Sequence, residues 1–162
     1  MDLTAERSRR APTLRVLVAD DCPINQMLAG TVLARWAISP LFALSGRDAV
    51  RLYAESRFDL VLRDIEMPDL DGFEATSRIR AYERGHHLSR VPIVAFTNSE
   101  RASNIPLLQG FGLDDLLRKP STPNAMFLCL SKWCPDRFAD NPMALPHVHR
   151  GVGSSQPGAW TL

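Results

Sequence analysis

The chain has 162 residues, 45% hydrophobic and 23% charged, with 19 Lys and Arg against 18 Asp and Glu for a formal net charge of +1. That composition suits one globular domain with a sizeable core, and the balanced charge gives no electrostatic reason to bind nucleic acid or an anionic membrane surface. No apolar run reaches the roughly 18 residues of a membrane span, and the start MDLTAERSRRAPT lacks a signal-peptide core, so membrane insertion is not expected and a cytoplasmic location is.

A polar extension, 1–13, precedes the first apolar run, 14–19, which has strand length and stops at Asp20-Asp21. Helical spacing of Met27, Leu28, Val32, Leu33 and Trp36 predicts a helix over 25–36, with Pro23 just ahead of it. A strand at 40–44, a helix at 46–55, a strand at 58–62 and a helix at 73–83 follow. The fourth strand, 91–96, carries its proline at the start, where a missing N–H is tolerated, and runs into Thr97-Asn98-Ser99. Pro106, Gly110 and Gly112 limit the next helix, 104–110, to a short one, with Asn104 near its start. A strand at 113–118 ends at Lys119-Pro120, and Thr122 is placed to cap a final helix, 123–133. Beyond 135, Pro142, Pro146, Gly151, Gly153, Pro157 and Gly158 break every periodic segment, so 136–162 is read as a disordered tail.

Five strands alternating with helices predict an α/β fold, a doubly wound parallel sheet with helices on both faces, because right-handed crossovers place each helix against the sheet. Such sheets bind ligands beyond the carboxyl ends of their strands. Asp20 and Asp21 follow strand one, Asp64 strand three, Thr97 strand four and Lys119 strand five, so all five share one rim. Three clustered carboxylates repel one another unless a cation joins them, and hard oxygen ligands favour Mg²⁺. With Lys119 as a point charge and Thr97 as a hydroxyl donor, the set matches what a phosphoryl group needs, and an aspartate can accept one as an acyl phosphate. Any one of these residues alone is simply a solvated or helix-capping side chain; their combination carries the argument.

The blocks LVADDCPIN, LVLRDIEMPDLDGFEATSRIR, PIVAFTN and GLDDLLRKPSTP resemble a response-regulator receiver domain, most like those attached to hybrid histidine kinases, over residues 14–135. The resemblance implies strand order 2-1-3-4-5, Asp64 as phosphoacceptor, Asp20 and Asp21 as the acidic pair holding Mg²⁺, and the Glu66 backbone carbonyl as a further metal ligand. It also implies Thr97 as the switch hydroxyl and Lys119 as the phosphate-binding lysine, with a cis bond to Pro120. A histidine kinase or histidine phosphotransfer protein would donate the phosphoryl group, and repacking around the fourth helix, fifth strand and fifth helix would signal it. The only catalysis implied is of the domain's own phosphorylation and dephosphorylation. No helix-turn-helix or enzymatic output segment is recognisable after 135, so signalling by contact with an unidentified output protein, or relay, is expected. Met1 and the non-repetitive tail favour a free-standing protein over a piece of a hybrid kinase. The alternative is a divergent receiver-fold interaction module that does not signal through phosphorylation.

Four departures from the family pattern stand out. Asn98 follows the switch threonine where a small residue is usual, narrowing access. Leu116 stands where an aromatic usually swings, excluding aromatic switching. Pro106 and Gly110 shorten or loosen the fourth helix. Arg63, just before Asp64, should point away from the face Asp64 uses. Either its stem lies on apolar neighbours with the guanidinium reaching solvent or a surface carboxylate, or the guanidinium curls toward the acidic rim and partly replaces Mg²⁺. His86, His87, His147 and His149 are read as loop or tail residues, and Asp69 and Asp71 as members of the turn before Gly72. Cys22, Cys129 and Cys134 form no CxxC pair and are odd in number, so they are read as reduced thiols, with no function assigned to Cys22.

Overall fold

Short β-rich apolar runs separated by capped amphipathic segments leave little choice but a crossover sheet. The computed structural model describes residues 13–138. Its strands are β1 (Val16–Ala19), β2 (Leu41–Ala43), β3 (Leu60–Arg63), β4 (Ile93–Thr97) and β5 (Asp115–Arg118). They alternate with helices α1 (Pro23–Ala34), α2 (Gly46–Glu55), α3 (Gly72–Gly85), α4 (Ile105–Gly110) and α5 (Pro123–Trp133), with a 3₁₀ turn, Glu100–Ser103, before α4. The sheet order is β2-β1-β3-β4-β5, all neighbours parallel. Both the fold class and the strand order are those expected.

Alternation along the strands divides the core in two. Val16, Val18, Leu60, Leu62, Val94 and Phe96 face Ala29 and Leu33 of α1 and Met126, Phe127 and Leu130 of α5. On the other face Leu17, Ala19, Val61, Ile93 and Ala95 meet Ala49 and Tyr53 of α2, Phe73 and Ile79 of α3, and Leu108 of α4. Burial on both faces is why the strands read as nearly continuous apolar runs. Side chains cap four helices: Ser45 accepts from the Asp48 N–H, Asp71 from Phe73 and Glu74, Asn104 from Leu107 and Thr122 from Ala125.

Several boundaries move. α1 starts at Pro23, two residues earlier than its periodicity suggests, because Pro23 sits in the first turn, where no N–H is needed. β4 begins at Ile93, and Pro92 just before it contributes only its carbonyl, which accepts from the Val61 N–H at 2.9 Å. β3 continues through Arg63, which pairs in register with Ala19 and Ala95. α4 is six residues long, as its Pro and Gly require. At the end of the described chain Pro135–Arg137 form a 3₁₀ turn, and Phe138 packs edge-on against Phe127 and Trp36 at 5.7 and 6.5 Å. Residues 1–12 and 139–162, with His147, His149 and most of the predicted disordered tail, lie outside the described residues. Among the described residues no helix is long and apolar enough to cross a membrane.

A polar network at the opposite end of the sheet from the acids had no sequence signal. Arg80, 4% exposed, donates to Glu83, to Asp114 and to the carbonyls of Val91 and Gly112. Tyr53 Oη and the Val91 N–H also donate to Glu83, at 2.7 and 2.9 Å. One guanidinium thereby joins α3 to the starts of β4 and β5.

The thiols of Cys129 and Cys134 are free and buried, and burial pushes them up from 9.0 to about 12 and about 11. Because the folded state holds these protons more tightly, the thiols' contribution to stability is complete below pH 9 and fades as pH rises through 11 to 12. Urea unfolding at about pH 8 and about pH 10.5 should show a stability loss that is smaller when both cysteines are alanine. Equal losses would exclude the thiols as a cause.

Candidate functional site

The sheet delivers its acids by backbone geometry. Asp20 continues β1, its N–H bonded to Ala43 O at 3.0 Å, and Asp64 continues β3, its N–H bonded to Ala19 O at 2.8 Å. Asp20 is 0% exposed and Asp64 8%, while Asp21 faces solvent. Carboxylate oxygens of Asp20, Asp21 and Asp64 all lie within 4.8 Å of one another, the only such group of three potential ligands among the described residues.

Lys119, at the end of β5, donates from Nζ to Oδ2 of both Asp20 and Asp64. Its ammonium also lies 5.4 Å from the Phe96 ring centroid, and its bond to Pro120 is cis, as the resemblance implies. The remaining oxygens are oriented locally: Asp20 Oδ1 accepts from the Cys22 N–H and Asn25 Nδ2, and Asp64 Oδ1 from the Glu66 N–H at 3.1 Å. Gln26 donates to the carbonyls of Asp20 and Ala43. Asn25 and Gln26 were not singled out in the sequence, although two amides opening a helix just after paired acids are the signal that marks them.

Thr97 is buried at the end of β4 and its Oγ1 accepts from the Ser99 N–H at 3.2 Å. Ser99 Oγ donates to Glu66 Oε1 at 2.5 Å, and Arg118 donates to Ser99 O and Ser103 Oγ. The five rim residues predicted from sequence therefore meet at one edge, with Lys119 touching two of the acids and Thr97 turned to its own loop.

Gly72 and Asp69 fix the loop above the site. A Cβ at Gly72 would lie 2.6 Å from Ile65 Cα and 2.8 Å from Asp64 O, so only glycine lets α3 begin against the β3 terminus. Asp71 caps α3, and Asp69 accepts from the Gly46 N–H, tying the loop to α2. Asn98 lines a cleft of about 220 Å³ with Asn25, Leu28, Phe96, Lys119 and Pro120. Leu116 is half-buried against the α2–α3–α4 face. His86 ends α3 with its ring 4.0 Å from that of Tyr82, and His87 takes a positive φ of 51° just after it.

Both readings of Arg63 are corrected. The residue is 0% exposed, so its guanidinium reaches neither solvent nor a surface carboxylate. Nε, Nη1 and Nη2 have no hydrogen-bond partner, so it does not curl onto the acidic rim either, a place Lys119 fills. The small cross-strand neighbours Ala19 and Ala95 leave room for it inside the sheet–helix layer. Burial lowers its pKa to about 10, with the charges of Asp71, Asp69 and Asp64 pulling the other way, and it remains a cation at neutral pH.

Three carboxylates facing one ammonium leave two negative charges, and every donor is a hard oxygen, so the residues fit a divalent cation such as Mg²⁺.

Residues 16–130 match the family described as "Response regulator receiver domain". The sensor protein GacS of Pseudomonas syringae pv. syringae is 38% identical over 132 residues, covering 82% of this chain and 14% of GacS. The chain thus spans about a seventh of the length of that relative. A chain in the complex of the Saccharomyces cerevisiae histidine phosphotransfer protein Ypd1 with the receiver domain of its downstream response regulator Ssk1 superposes with TM-score 0.71 and 30% identity. That match covers 80% of this chain and 95% of the other. The receiver domain of a Pseudomonas aeruginosa sensor histidine kinase, with magnesium coordinated in its active-site cleft, superposes with TM-score 0.65 and 31% identity, covering 75% and 97%. A parallel 2-1-3-4-5 sheet with an acidic cluster at its carboxyl edge is the receiver architecture, and the chain belongs to the response-regulator receiver family of two-component and phosphorelay signalling.

Proposed function

We propose that the domain accepts a phosphoryl group on Asp64 from a phosphohistidine of a histidine kinase or phosphotransfer protein, in the cytoplasm, and signals the change by protein contact. The observation carrying this is the Asp20–Asp21–Asp64 cluster with Lys119 bonded to two of its members. Asp20, Asp21, Asp64 and the Glu66 carbonyl would hold Mg²⁺, which when bound supplies charge neutralisation for a phosphoryl oxygen. An Asp64 carboxylate oxygen attacks phosphorus; the new O–P bond forms as the N–P bond breaks, its electron pair returning to the imidazole nitrogen. Lys119 exchanges its bond to Asp64 for one to a phosphoryl oxygen, and Thr97 turns from the Ser99 N–H to donate to another. Ile24, Met27 and Leu28 on α1 are 63%, 64% and 50% exposed, an apolar approach for the donor protein beside the acids.

Incubation with Mg²⁺ and acetyl phosphate should give a shifted band in phosphate-affinity electrophoresis for the wild type, none for Asp64→Asn, and none in EDTA. An unshifted wild type would favour the interaction module that keeps the fold without the chemistry.

A further inference from the structure

We propose that Arg63 sets the charge balance of the acidic site so that its phosphorylated form, rather than its resting form, is the electrically neutral one. The inference rests on the phosphoacceptor reading above and assigns a positioning role to a residue outside it. A guanidinium with all three nitrogens buried and unpartnered is costly, since each lost hydrogen bond leaves a donor desolvated. Replacing such a group by an apolar side chain of similar length removes that cost, so its presence in the strand calls for a compensating use.

Position supplies one. Arg63 is the last residue of β3, one peptide from Asp64, and lies between Ala19, which precedes Asp20, and Ala95. The acids whose charge acts on it are Asp71, Asp69 and Asp64. Asp69 and Asp71 are exposed loop residues, so solvent screens much of their effect, whereas Asp64 is 8% exposed. The guanidinium makes no hydrogen bond to the acids and leaves the strand on the opposite face from Asp64, so the effect proposed for it is one through space.

Counting charges gives the direction. Asp20, Asp21 and Asp64 against Lys119 leave two negative charges, which a divalent cation cancels. With Arg63 the resting, cation-loaded site carries one positive charge too many. Converting the Asp64 carboxylate to an acyl phosphate of charge about −2 adds one negative charge, and the site becomes neutral. Arg63 therefore weakens cation binding at rest and strengthens holding of the phosphoryl group, two effects of opposite sign.

The test is calorimetric titration of Mg²⁺, and of beryllofluoride at saturating Mg²⁺, into wild type, Arg63→Met, Arg63→Gln and Arg63→Lys. The neutral variants should bind Mg²⁺ about tenfold tighter and beryllofluoride about tenfold weaker, the scale of one charge at an effective dielectric of about 20. Arg63→Lys keeps the charge and should stay near wild type in both. A role in packing alone would move both affinities the same way or neither, with lysine no better than methionine, and either result overturns the proposal. Wild-type protein that binds no Mg²⁺ overturns the phosphoacceptor reading and this inference with it; equal Mg²⁺ binding by all four proteins overturns only the inference.

Discussion

Lys119→Met is expected to destabilise the cation-free fold by about 3 kcal/mol, the usual cost of leaving a buried charge without its partner. Asp20 has no exposure and Lys119 8%, so water cannot take over the lost bonds, and two carboxylates that share one ammonium are left facing each other. Part of the loss should return on adding Mg²⁺, because a ligand that binds only the folded state at about 100 times its dissociation constant adds about 2.7 kcal/mol. The gain from Mg²⁺ should exceed that of the wild type, since the variant's cluster carries one more uncompensated charge. Urea unfolding in EDTA and in Mg²⁺ measures both quantities. A loss in EDTA below about 1 kcal/mol would mean that the Lys119 bridges behave as exposed pairs do.

Arg80→Ala should cost more, about 3 to 5 kcal/mol, with no relief from Mg²⁺. Its side chain is 4% exposed and holds Glu83, 6% exposed, through Nη1 and Asp114, 13% exposed, through Nη2. Removing it leaves Glu83 with only Tyr53 and the Val91 N–H, and leaves Asp114 with Arg90 and the Ile93 N–H. The damage therefore falls where α3 meets the starts of β4 and β5, far from the acids, and phosphoryl acceptance per folded molecule should be unchanged. Combining Arg80→Met with Glu83→Gln should recover at least about 1 kcal/mol relative to simple addition, because the second change removes the charge that the first stranded. Strict additivity would show that the pair does not act as a unit.

The fold was legible because its signals are local and repeated. Apolar runs of strand length, caps such as Thr122 and Asn104, and polar residues at strand ends each state one element and together state the sheet. The acidic site was legible for the same reason: in a parallel sheet, residues that follow strands converge whatever their separation in sequence. Arg63 and Arg80 were not legible, because the fate of a long charged side chain depends on space left by residues remote in sequence. Ala19 and Ala95 make room for one; Glu83, Gly112 and Asp114 make partners for the other. A strand period says which face a side chain leaves from, and nothing about what waits there.

Ser99 is pinned three times: its N–H rests on Thr97, its hydroxyl on Glu66, and its carbonyl on Arg118. In the proposed phosphorylated form Thr97 gives up the first of these bonds, and Ser99 would stay tied to the loop after β3 through Glu66, to the end of β5 through Arg118 and, through Arg118 and Ser103, to the threshold of α4. With no aromatic ring at Leu116 to turn, the proposed signal would have to leave by this backbone and arginine route, with Arg118 as its lever.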